Sequence, residues 1–314
     1  MSLRKALECY SLVTGLKRRL KMKDSLLGMN MVITGATSGI GLAAAVELAR
    51  RGAYVIGVGR SQARCLEAEK EIKKVYPQAK ISFLIADLSS LSQVRELAGN
   101  IKQCVRESGK DRLDVLVNNA GTVSSWYVAT GDGFELQFAV NHLAPFLLTH
   151  ELLPLLMAAP AGRVINVSSG SHYRTRINWN DIMLRKHYNC LMAYKQTKLC
   201  NVLFSTEFNR KTWTVKEIRA YAVDPGLVNT NIGLKGTTGI ERWFWKKRSR
   251  GGVEPAKAAA SIVHLACVPS DRLPTDVYWK DCKPMQPSPY SQREDFGRRL
   301  WEVSEKMCGI QTAQ

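Results

Sequence analysis

Short apolar runs alternate with longer amphipathic segments along the chain from residue 29 onwards. Short apolar runs bounded by turn residues indicate buried strands, and apolar positions three or four apart indicate helices. The predicted strands cover residues 30–34, 54–58, 81–86, 113–117, 163–167 and 218–223. The predicted helices cover residues 40–51, 62–75, 91–106, 133–157 and 193–208. Strands that alternate with helices form βαβ units, so the pattern predicts an α/β fold with a doubly wound, Rossmann-like parallel sheet.

The domain organisation follows from where this alternation begins and ends. Residues 1–28 are predicted to be a basic N-terminal tail, residues 29–290 a single Rossmann-like domain, and residues 291–314 a C-terminal helix and tail. Residues 231–254, after the sixth strand, break the rhythm with glycines followed by aromatic and basic residues. We interpret that segment as a substrate lid and not as a second domain.

The spacing of cysteine and histidine indicates neither a disulfide framework nor a metal site. The 314-residue chain has eight cysteines without a C-x-x-C pair, and its five histidines have no regular ligand spacing. The sequence therefore predicts no metal and a reducing, intracellular compartment.

The chain is strongly basic, with 45 lysines and arginines against 27 acidic residues and a net charge of +18. Such a charge attracts an anionic partner, which makes nucleic acid, an anionic membrane surface and a phosphorylated cofactor candidates. No nucleic-acid-binding module and no platform of interleaved aromatic residues is recognisable. We therefore predict that nucleic acid is not a partner.

The N-terminal segment bears on where the protein is located. Residues 6–16 are mildly apolar, and basic residues follow them. A secretory signal has its charges before the apolar part, so this order argues against secretion. No run approaches the ~20 apolar residues of a membrane-spanning helix. The expected location is cytoplasmic or peripherally membrane-associated, and both a membrane-bound amphipathic segment and a solvated tail stay open.

The first predicted strand runs directly into a glycine-rich turn and a helix. The turn carries Gly35, Ser38, Gly39, Ile40 and Gly41. Glycines let the backbone turn tightly and approach a pyrophosphate, whose charge is stabilised by free N–H groups at the helix N-terminus. The strand-turn-helix context therefore predicts a dinucleotide site.

The end of the second strand indicates which dinucleotide is bound. A carboxylate there accepts hydrogen bonds from a free ribose 2′-hydroxyl and repels a 2′-phosphate. This chain has Arg60 in that place and no acid. The guanidinium favours NADP over NAD, and a solvated surface charge is the alternative.

Three motifs in the correct order resemble the short-chain dehydrogenase/reductase family. They are the T-G-x-x-x-G-I-G turn from Thr34 to Gly41, the N-N-A-G segment that begins at Asn118, and the Y-x-x-x-K pair of Tyr194 and Lys198. The resemblance covers residues 29–230. It implies a nicotinamide-dependent oxidoreductase, and it allows the site residues to be carried over position by position.

The resemblance assigns further residues to the catalytic and cofactor sites. Asn141 matches the catalytic asparagine, and Ser169 matches the catalytic serine. Asp87 matches the residue that contacts the adenine ring. The other cofactor-binding positions that it implies are Leu88, Asn118, Ala120, Gly121, Pro225, Gly226, Val228 and Thr230, together with Tyr194 and Lys198.

The chemistry of Tyr194 and Lys198 can also be argued from the residues themselves. A phenol with an unperturbed pKa of ~10 is a poor acid or base at neutral pH and needs a neighbouring cation. Lys198 lies four positions after Tyr194 and shares its helix face. We expect Tyr194 to exchange the substrate proton and Ser169 to hydrogen-bond the substrate oxygen. Asn141 is expected to hold a water that links Lys198 to solvent.

Two adjacent serines compete for the catalytic position. Side chains alternate along a strand, so Ser168 and Ser169 face opposite sides. The resemblance places the second serine towards the nicotinamide, which favours Ser169. Ser168 stays an alternative.

The interval between the serine and the tyrosine indicates a branch of the family. Ser169 and Tyr194 are 25 positions apart (194 − 169), more than in compact members. Together with the N-H-L segment at 141–143 and the D-C-K segment at 281–283, this resembles the retinol-dehydrogenase-like branch. The resemblance implies lipid metabolism and an apolar small-molecule substrate of the retinoid, steroid, polyprenol or lipid aldehyde class. A non-catalytic NADP(H)-binding sensor or regulatory protein is the alternative, and peripheral membrane contact and a monomer or homodimer both stay open.

Overall fold

The computed structural model describes residues 26–212, 218–228, 252–269 and 272–311. The strands in these residues are β1 (Asn30–Thr34), β2 (Tyr54–Gly59), β3 (Ile81–Ile85), β4 (Val115–Asn118), β5 (Arg163–Val167), β6 (Arg219–Asp224), β7 (Tyr278–Lys280) and β8 (Lys283–Pro284). They form one sheet in the order β3-β2-β1-β4-β5-β6-β7-β8. Seven of the strands are parallel, and β8 runs antiparallel to β7. The predicted α/β fold with a doubly wound parallel sheet is confirmed.

Helices cover both faces of the sheet. They are α1 (Gly39–Arg50), α2 (Gln62–Val75), α3 (Leu91–Glu107), α4 (Leu136–Phe138), α5 (Ala144–Ala158), α6 (Cys190–Thr212), α7 (Pro255–Cys267) and α8 (Glu294–Cys308). Helix α1 packs on α7 at one face, while α3 packs on α5 and α6 packs on α8 at the other. Every residue of β1 and β5 is buried, because a parallel sheet covered on both faces leaves no strand face in water. No helix among the described residues combines the length and apolar character needed to cross a membrane.

The predicted continuous helix over 133–157 is wrong in one respect. The structure has α4, then a π-helical turn over Ala139–Leu143, and only then α5. The Ala144 N–H donates to the Ala139 carbonyl, five residues earlier. Pro145 has no N–H to donate to the carbonyl four residues before it, that of Asn141, so the regular α-helical ladder cannot continue there. The widened turn carries Asn141.

Of the elements that follow β6, the sequence pattern predicted the C-terminal helix but not α7, β7 or β8. Helix α7 covers one face of the sheet, and the short strands β7 and β8 extend its edge. Strand β7 has only three residues, too few for an alternation to be recognised, yet Tyr278 and Trp279 in it are almost fully buried. Most of the predicted lid over residues 231–254, namely residues 231–251, lies outside the described residues. At its border the Val253 N–H donates to the Leu227 carbonyl at 2.7 Å.

The carboxyl ends of β1, β4, β5 and β6 meet at one edge of the sheet. Strand β1 has β2 on one side and β4 on the other, so the chain order reverses between β1 and β4. In open α/β sheets this reversal opens a crevice where ligands bind. The residues singled out by the sequence motifs follow these strand ends, which places them around the crevice.

Candidate active site

The glycine-rich turn after β1 depends on glycine for two physical reasons. Gly35 and Gly39 have φ angles of +68° and +59°, in the left-handed region that favours glycine. Gly41 has an ordinary backbone but no room for a side chain. A Cβ there would lie 2.4 Å from Asn119 Nδ2 and 2.5 Å from the Gly35 carbonyl oxygen. The turn is therefore compact enough for a ligand to approach its backbone closely.

The segment after β4 holds this turn in place. The Asn119 side chain donates from Nδ2 to the Thr34 carbonyl at 2.8 Å. The backbone N–H groups of Asn119 and Ala120 both donate to Thr34 Oγ1 at 3.0 Å. Asn118 faces the other way, and its Nδ2 joins β4 to β5 through Asn166 Oδ1 at 2.9 Å. The N-N-A-G segment thus links the glycine turn to the centre of the sheet.

The residues after β2 and β3 lie at the far end of the crevice. Arg60 follows β2 directly, and its side chain is exposed and makes no ion pair with the described residues. Asp87 follows β3, is exposed, and accepts from the Ser89 N–H at 3.0 Å. The Asp87 N–H in turn donates to the Gln93 side chain at 2.9 Å. Leu88 is largely buried.

The two adjacent serines after β5 have different partners. The Ser168 hydroxyl is buried and donates to the Lys198 carbonyl at 2.8 Å. Ser169 is partly exposed, and its Oγ accepts from the Ser171 N–H at 3.2 Å. The Ser169 hydroxyl hydrogen is therefore the one available to an incoming oxygen, while that of Ser168 is committed.

Helix α6 places Tyr194 and Lys198 side by side. The ammonium nitrogen of Lys198 lies 5.5 Å from the centroid of the Tyr194 ring. Lys198 is 2% exposed and donates from Nζ to the Val167 carbonyl at 2.9 Å, at the end of β5. Tyr194 is half-buried. The structure therefore gathers the predicted serine, tyrosine and lysine at the carboxyl end of one strand.

Asn141 lies in the π turn and is fixed on both sides of its amide. Its Oδ1 accepts from the Thr122 N–H at 2.7 Å. Its Nδ2 donates to the Thr122 carbonyl at 3.0 Å and to Thr197 Oγ1 at 3.1 Å. Because both amide hydrogens are used inside the protein, the side chain joins α6 to the loop after β4. The Asn141 carbonyl lacks the usual α-helical donor four residues later, because Pro145 has no N–H.

The turn after β6 completes the crevice. Gly226 has a φ of +74°, and its N–H donates to Asp224 Oδ1 at 2.9 Å. The other oxygen of Asp224 lies 3.7 Å from Lys280 Nζ. Val228 pairs with Val253, and Thr230 lies outside the described residues. The structure thus places the predicted Pro225 to Val228 segment beside the serine turn.

A family model described as short chain dehydrogenase matches residues 29–238. The chain belongs to this family. Retinol dehydrogenase 14 of Mus musculus is 35% identical over 301 residues, which cover 90% of this chain and 86% of that protein. Retinol dehydrogenase 13 of Homo sapiens is 34% identical and covers 92% and 87% of the two chains. This short-chain dehydrogenase is therefore of the retinol-dehydrogenase-like kind, as the motifs indicated.

Solved structures support the same assignment. An uncharacterised protein of Mycobacterium paratuberculosis is 31% identical, has a TM-score of 0.71, and covers 92% of this chain and 97% of its own. A metagenomic short-chain oxidoreductase in complex with NADP is 25% identical, has a TM-score of 0.60, and covers 83% of this chain and 99% of its own. The family binds nicotinamide cofactors, and the close approach allowed by Gly41 fits such a group.

Burial of the lysine changes its acid–base behaviour in this dehydrogenase. Lys198 has no carboxylate partner among the described residues, so desolvation dominates and lowers the pKa of its ammonium group to about 8. Desolvation makes the buried Lys198 cation unfavourable, yet the protein holds it beside the Tyr194 ring. A cation in that place stabilises the phenolate form of the tyrosine. The site therefore keeps a positive charge where a tyrosine would lose its proton.

Two supporting residues were missed by the sequence interpretation. Asp224 holds the turn after β6, and an acid at the end of a strand just before Pro-Gly was the available signal. His172 lies three residues after Ser169 and bonds its carbonyl. No local pattern distinguishes this histidine from the other four, because its second partner, Ser288, lies 116 positions away.

Proposed function

We propose that this protein is an NADP(H)-dependent oxidoreductase that interconverts a carbonyl and a hydroxyl group on an apolar small molecule. The observation that carries the proposal is the buried Lys198 ammonium 5.5 Å from the Tyr194 ring, next to the free Ser169 hydroxyl. Nothing in the core packing of α6 requires a buried cation, and its desolvation is unfavourable. Such a group is retained where chemistry needs its charge.

The glycine turn and Lys198 are the groups that would hold the cofactor. The pyrophosphate would lie on the N–H groups at the start of α1, with Ser38, Gly39 and Ile40 around it. Ala120, Gly121, Pro225 and Gly226 would line the nicotinamide half. When bound, the nicotinamide supplies or accepts the hydride.

Tyr194 is the proton donor and acceptor in this proposal. In reduction, the substrate oxygen takes the hydroxyl proton of Tyr194 while hydride arrives at the adjacent carbon. In oxidation, the Tyr194 oxygen takes the hydroxyl proton of the substrate as hydride departs. The charge of Lys198 stabilises the phenolate in both directions, which brings the phenol closer to the operating pH.

Ser169 and Asn141 support that proton transfer. The Ser169 hydroxyl donates to the substrate oxygen and stabilises the negative charge that develops on it. The side chain of Asn141 fixes the loop after β4, and its backbone carbonyl, which Pro145 cannot reach with an N–H, would hold a water for proton relay from Lys198. Both positions are set by protein hydrogen bonds before any substrate arrives, which is what preorganisation requires.

Arg60 supports a preference for NADP over NAD. It follows β2, where an acid would accept the ribose hydroxyls of NAD, and it is exposed and unpaired among the described residues. A guanidinium can hold a 2′-phosphate with two parallel hydrogen bonds. The solved relative in complex with NADP belongs to the same family.

The apolar substrate class is supported by the surface around the site. Trp126 after β4 is 70% exposed, and Met192 at the start of α6 is 46% exposed. Tyr173, three residues from Gly170 in the serine turn, is also exposed. Large apolar side chains left in water near a crevice favour an apolar ligand. The relatives named retinol dehydrogenases favour the same class.

The experiment compares wild type with Tyr194→Phe, using NADPH or NADH with retinal, steroid ketones and medium-chain aldehydes. Removing the hydroxyl should lower NADPH-dependent turnover by about a thousandfold while NADPH still binds. Tyr76→Phe at the end of α2 is the matched control and should keep wild-type activity. Tight NADPH binding without turnover of any carbonyl would instead support a cofactor sensor.

A further inference from the structure

His172 is enclosed directly behind the catalytic serine. It ends the 3-10 turn Gly170–His172 and has no exposed surface. Its ring packs in a tilted arrangement against Tyr173, at 4.1 Å between centroids, and against Tyr278, at 4.6 Å. The imidazole therefore has no route to water, and its two nitrogens can bond only to protein groups.

Both ring nitrogens of His172 have partners that fix its protonation. Nδ1 lies 2.9 Å from the Ser169 carbonyl oxygen, which can only accept. Nε2 lies 3.1 Å from the Ser288 backbone N–H, which can only donate. The ring must therefore be neutral, with its hydrogen on Nδ1. Burial, which lowers the pKa of His172, acts in the same direction.

The bond from His172 is one of several that lock the serine turn. The Ser169 carbonyl also accepts from the His172 backbone N–H at 3.1 Å. Ser169 Oγ accepts from the Ser171 N–H, which leaves the hydroxyl hydrogen to point outwards. The position of the Ser169 hydroxyl thus depends on the turn, and the turn depends on a hydrogen at His172 Nδ1.

The partner of Nε2 belongs to a distant segment, residues 285–292, which we name the C-terminal strap. The strap bonds the serine region at further points. The Tyr173 hydroxyl donates to the Gln286 carbonyl. The Tyr290 hydroxyl accepts from Trp179 Nε1 at 3.0 Å. These contacts keep the Ser288 N–H against the histidine.

We infer that His172 is a positioning residue for Ser169 and that the Ser288 N–H of the C-terminal strap, together with the Ser169 carbonyl, holds the ring hydrogen on Nδ1. Without that N–H only the Ser169 carbonyl favours this tautomer, and the ring is no longer held from its Nε2 side. The strap therefore controls the geometry of the catalytic hydroxyl through one imidazole. The inference rests on the proposed oxidoreductase function, because Ser169 acts only there.

The first test removes the N–H from Ser288 and leaves the histidine unchanged. Ser288 has φ −61° and ψ 144°, which proline can adopt, so Ser288→Pro deletes the donor at an allowed backbone conformation. The proline Cδ takes the place of the amide hydrogen and pushes His172 Nε2 away from the strap. Ser288→Ala keeps the N–H and is the matched control. We expect Ser288→Pro to lower kcat about tenfold with unchanged NADPH binding, and Ser288→Ala to keep kcat.

The second test replaces the histidine by amides. In His172→Asn the side-chain amide N–H lies near the Nδ1 position and can donate to the Ser169 carbonyl. In His172→Gln the amide lies near the Nε2 position, so the Ser169 carbonyl loses its side-chain donor. His172→Asn should keep kcat within about threefold, and His172→Gln should lose about tenfold. Simple packing predicts the reverse order, because asparagine leaves the larger cavity. In the His172→Asn background, Ser288→Pro should have no further effect.

Nitrogen-15 NMR of the wild-type protein with NADPH reads the tautomer directly, with His172→Gln used to assign the resonance. A hydrogen on Nδ1 in wild type and in Ser288→Ala, with a larger share of the Nε2 tautomer in Ser288→Pro, is the expected result. An Nε2 hydrogen in wild type, or equal kcat losses in the two His172 variants, would overturn the inference. If wild type fails to turn over any carbonyl, it is the proposed function that is overturned, and the NMR result distinguishes the two failures.

Discussion

The Ser168 hydroxyl donates to the Lys198 carbonyl at 2.8 Å, so the serine next to the catalytic candidate ties the end of β5 to α6. The same helix turn carries the Lys198 ammonium, which donates to the Val167 carbonyl on the preceding residue of the chain. Lys198 is thus bonded to two consecutive residues, Val167 and Ser168, at the end of β5. Ser169, one residue on, is left to face the crevice.

The two serines should therefore respond differently to substitution by alanine. Ser169→Ala removes a donor to the developing oxyanion, and kcat should fall about a hundredfold with little change in stability. Ser168→Ala removes a buried hydrogen bond, which should lower the free energy of unfolding by about 1 kcal/mol and leave most of kcat. Steady-state kinetics and denaturant melts of both variants measure this. A larger loss of kcat in Ser168→Ala than in Ser169→Ala would indicate that Ser168, and not Ser169, bonds the substrate oxygen.

Lys198→Met should stabilise the cofactor-free protein at neutral pH. The change in the pKa of Lys198 from 10.5 to about 8 corresponds to roughly 3 kcal/mol of unfavourable burial at neutral pH. Methionine avoids this free-energy cost of burying a charge. The Val167 carbonyl still accepts from Asn201 Nδ2 at 3.2 Å, so it keeps a donor. We expect a gain of about 1–3 kcal/mol in the free energy of unfolding, together with loss of turnover.

The stability gain of Lys198→Met should depend on pH in a stated direction. Between about pH 8 and pH 10.5 the unfolded chain binds the lysine proton and the folded protein does not. The free energy of unfolding of wild type therefore rises with pH across that window, and the advantage of methionine shrinks. Denaturant melts at neutral and alkaline pH test this. A difference that stays constant with pH would contradict desolvation as the cause.

Arg60→Ala should weaken NADPH binding without affecting NADH. Loss of a charge-assisted contact to the 2′-phosphate should raise the dissociation constant for NADPH about 10- to 100-fold. Lys80→Ala, just before β3 at the opposite edge of the sheet, removes the same charge and should change neither constant. Fluorescence titration with both cofactors provides the comparison. If both variants raised the dissociation constant for NADPH equally, the effect would come from the net charge of the protein and not from a contact between Arg60 and the 2′-phosphate.

Gly41→Ala tests the close approach at the glycine turn. Its Cβ would meet Asn119 Nδ2 and the Gly35 carbonyl within 2.5 Å, so the turn must shift. We expect about 2 kcal/mol of destabilisation and loss of cofactor binding. Gly99→Ala in α3 has nothing within 4 Å of the new Cβ and should be neutral or stabilising by up to about 1 kcal/mol. Thermal melts with and without NADPH distinguish these outcomes.

The alternation of apolar runs and amphipathic segments determined the architecture by itself, because burial on both sheet faces and on one helix face leaves a local pattern. Motif spacing also indicated which residues lie near the carboxyl ends of the strands: Gly41 and Ser169 follow strand ends, and Tyr194 and Lys198 share one helix face. The family was evident from the order of these motifs. Such features depend on near neighbours in the chain, which a sequence displays directly.

Only the tertiary structure decided features that join distant positions. It showed that Ser168 is bonded to Lys198 and Ser169 is not, which alternation alone left open. It placed Asn141 in a π turn where the sequence predicted one continuous helix, and it showed that the partners of that side chain lie in other elements. It placed the Ser288 N–H on His172, 116 positions earlier. Hydrogen bonds of this kind depend on how loops pack after the sheet has formed, and no local period in the sequence encodes them.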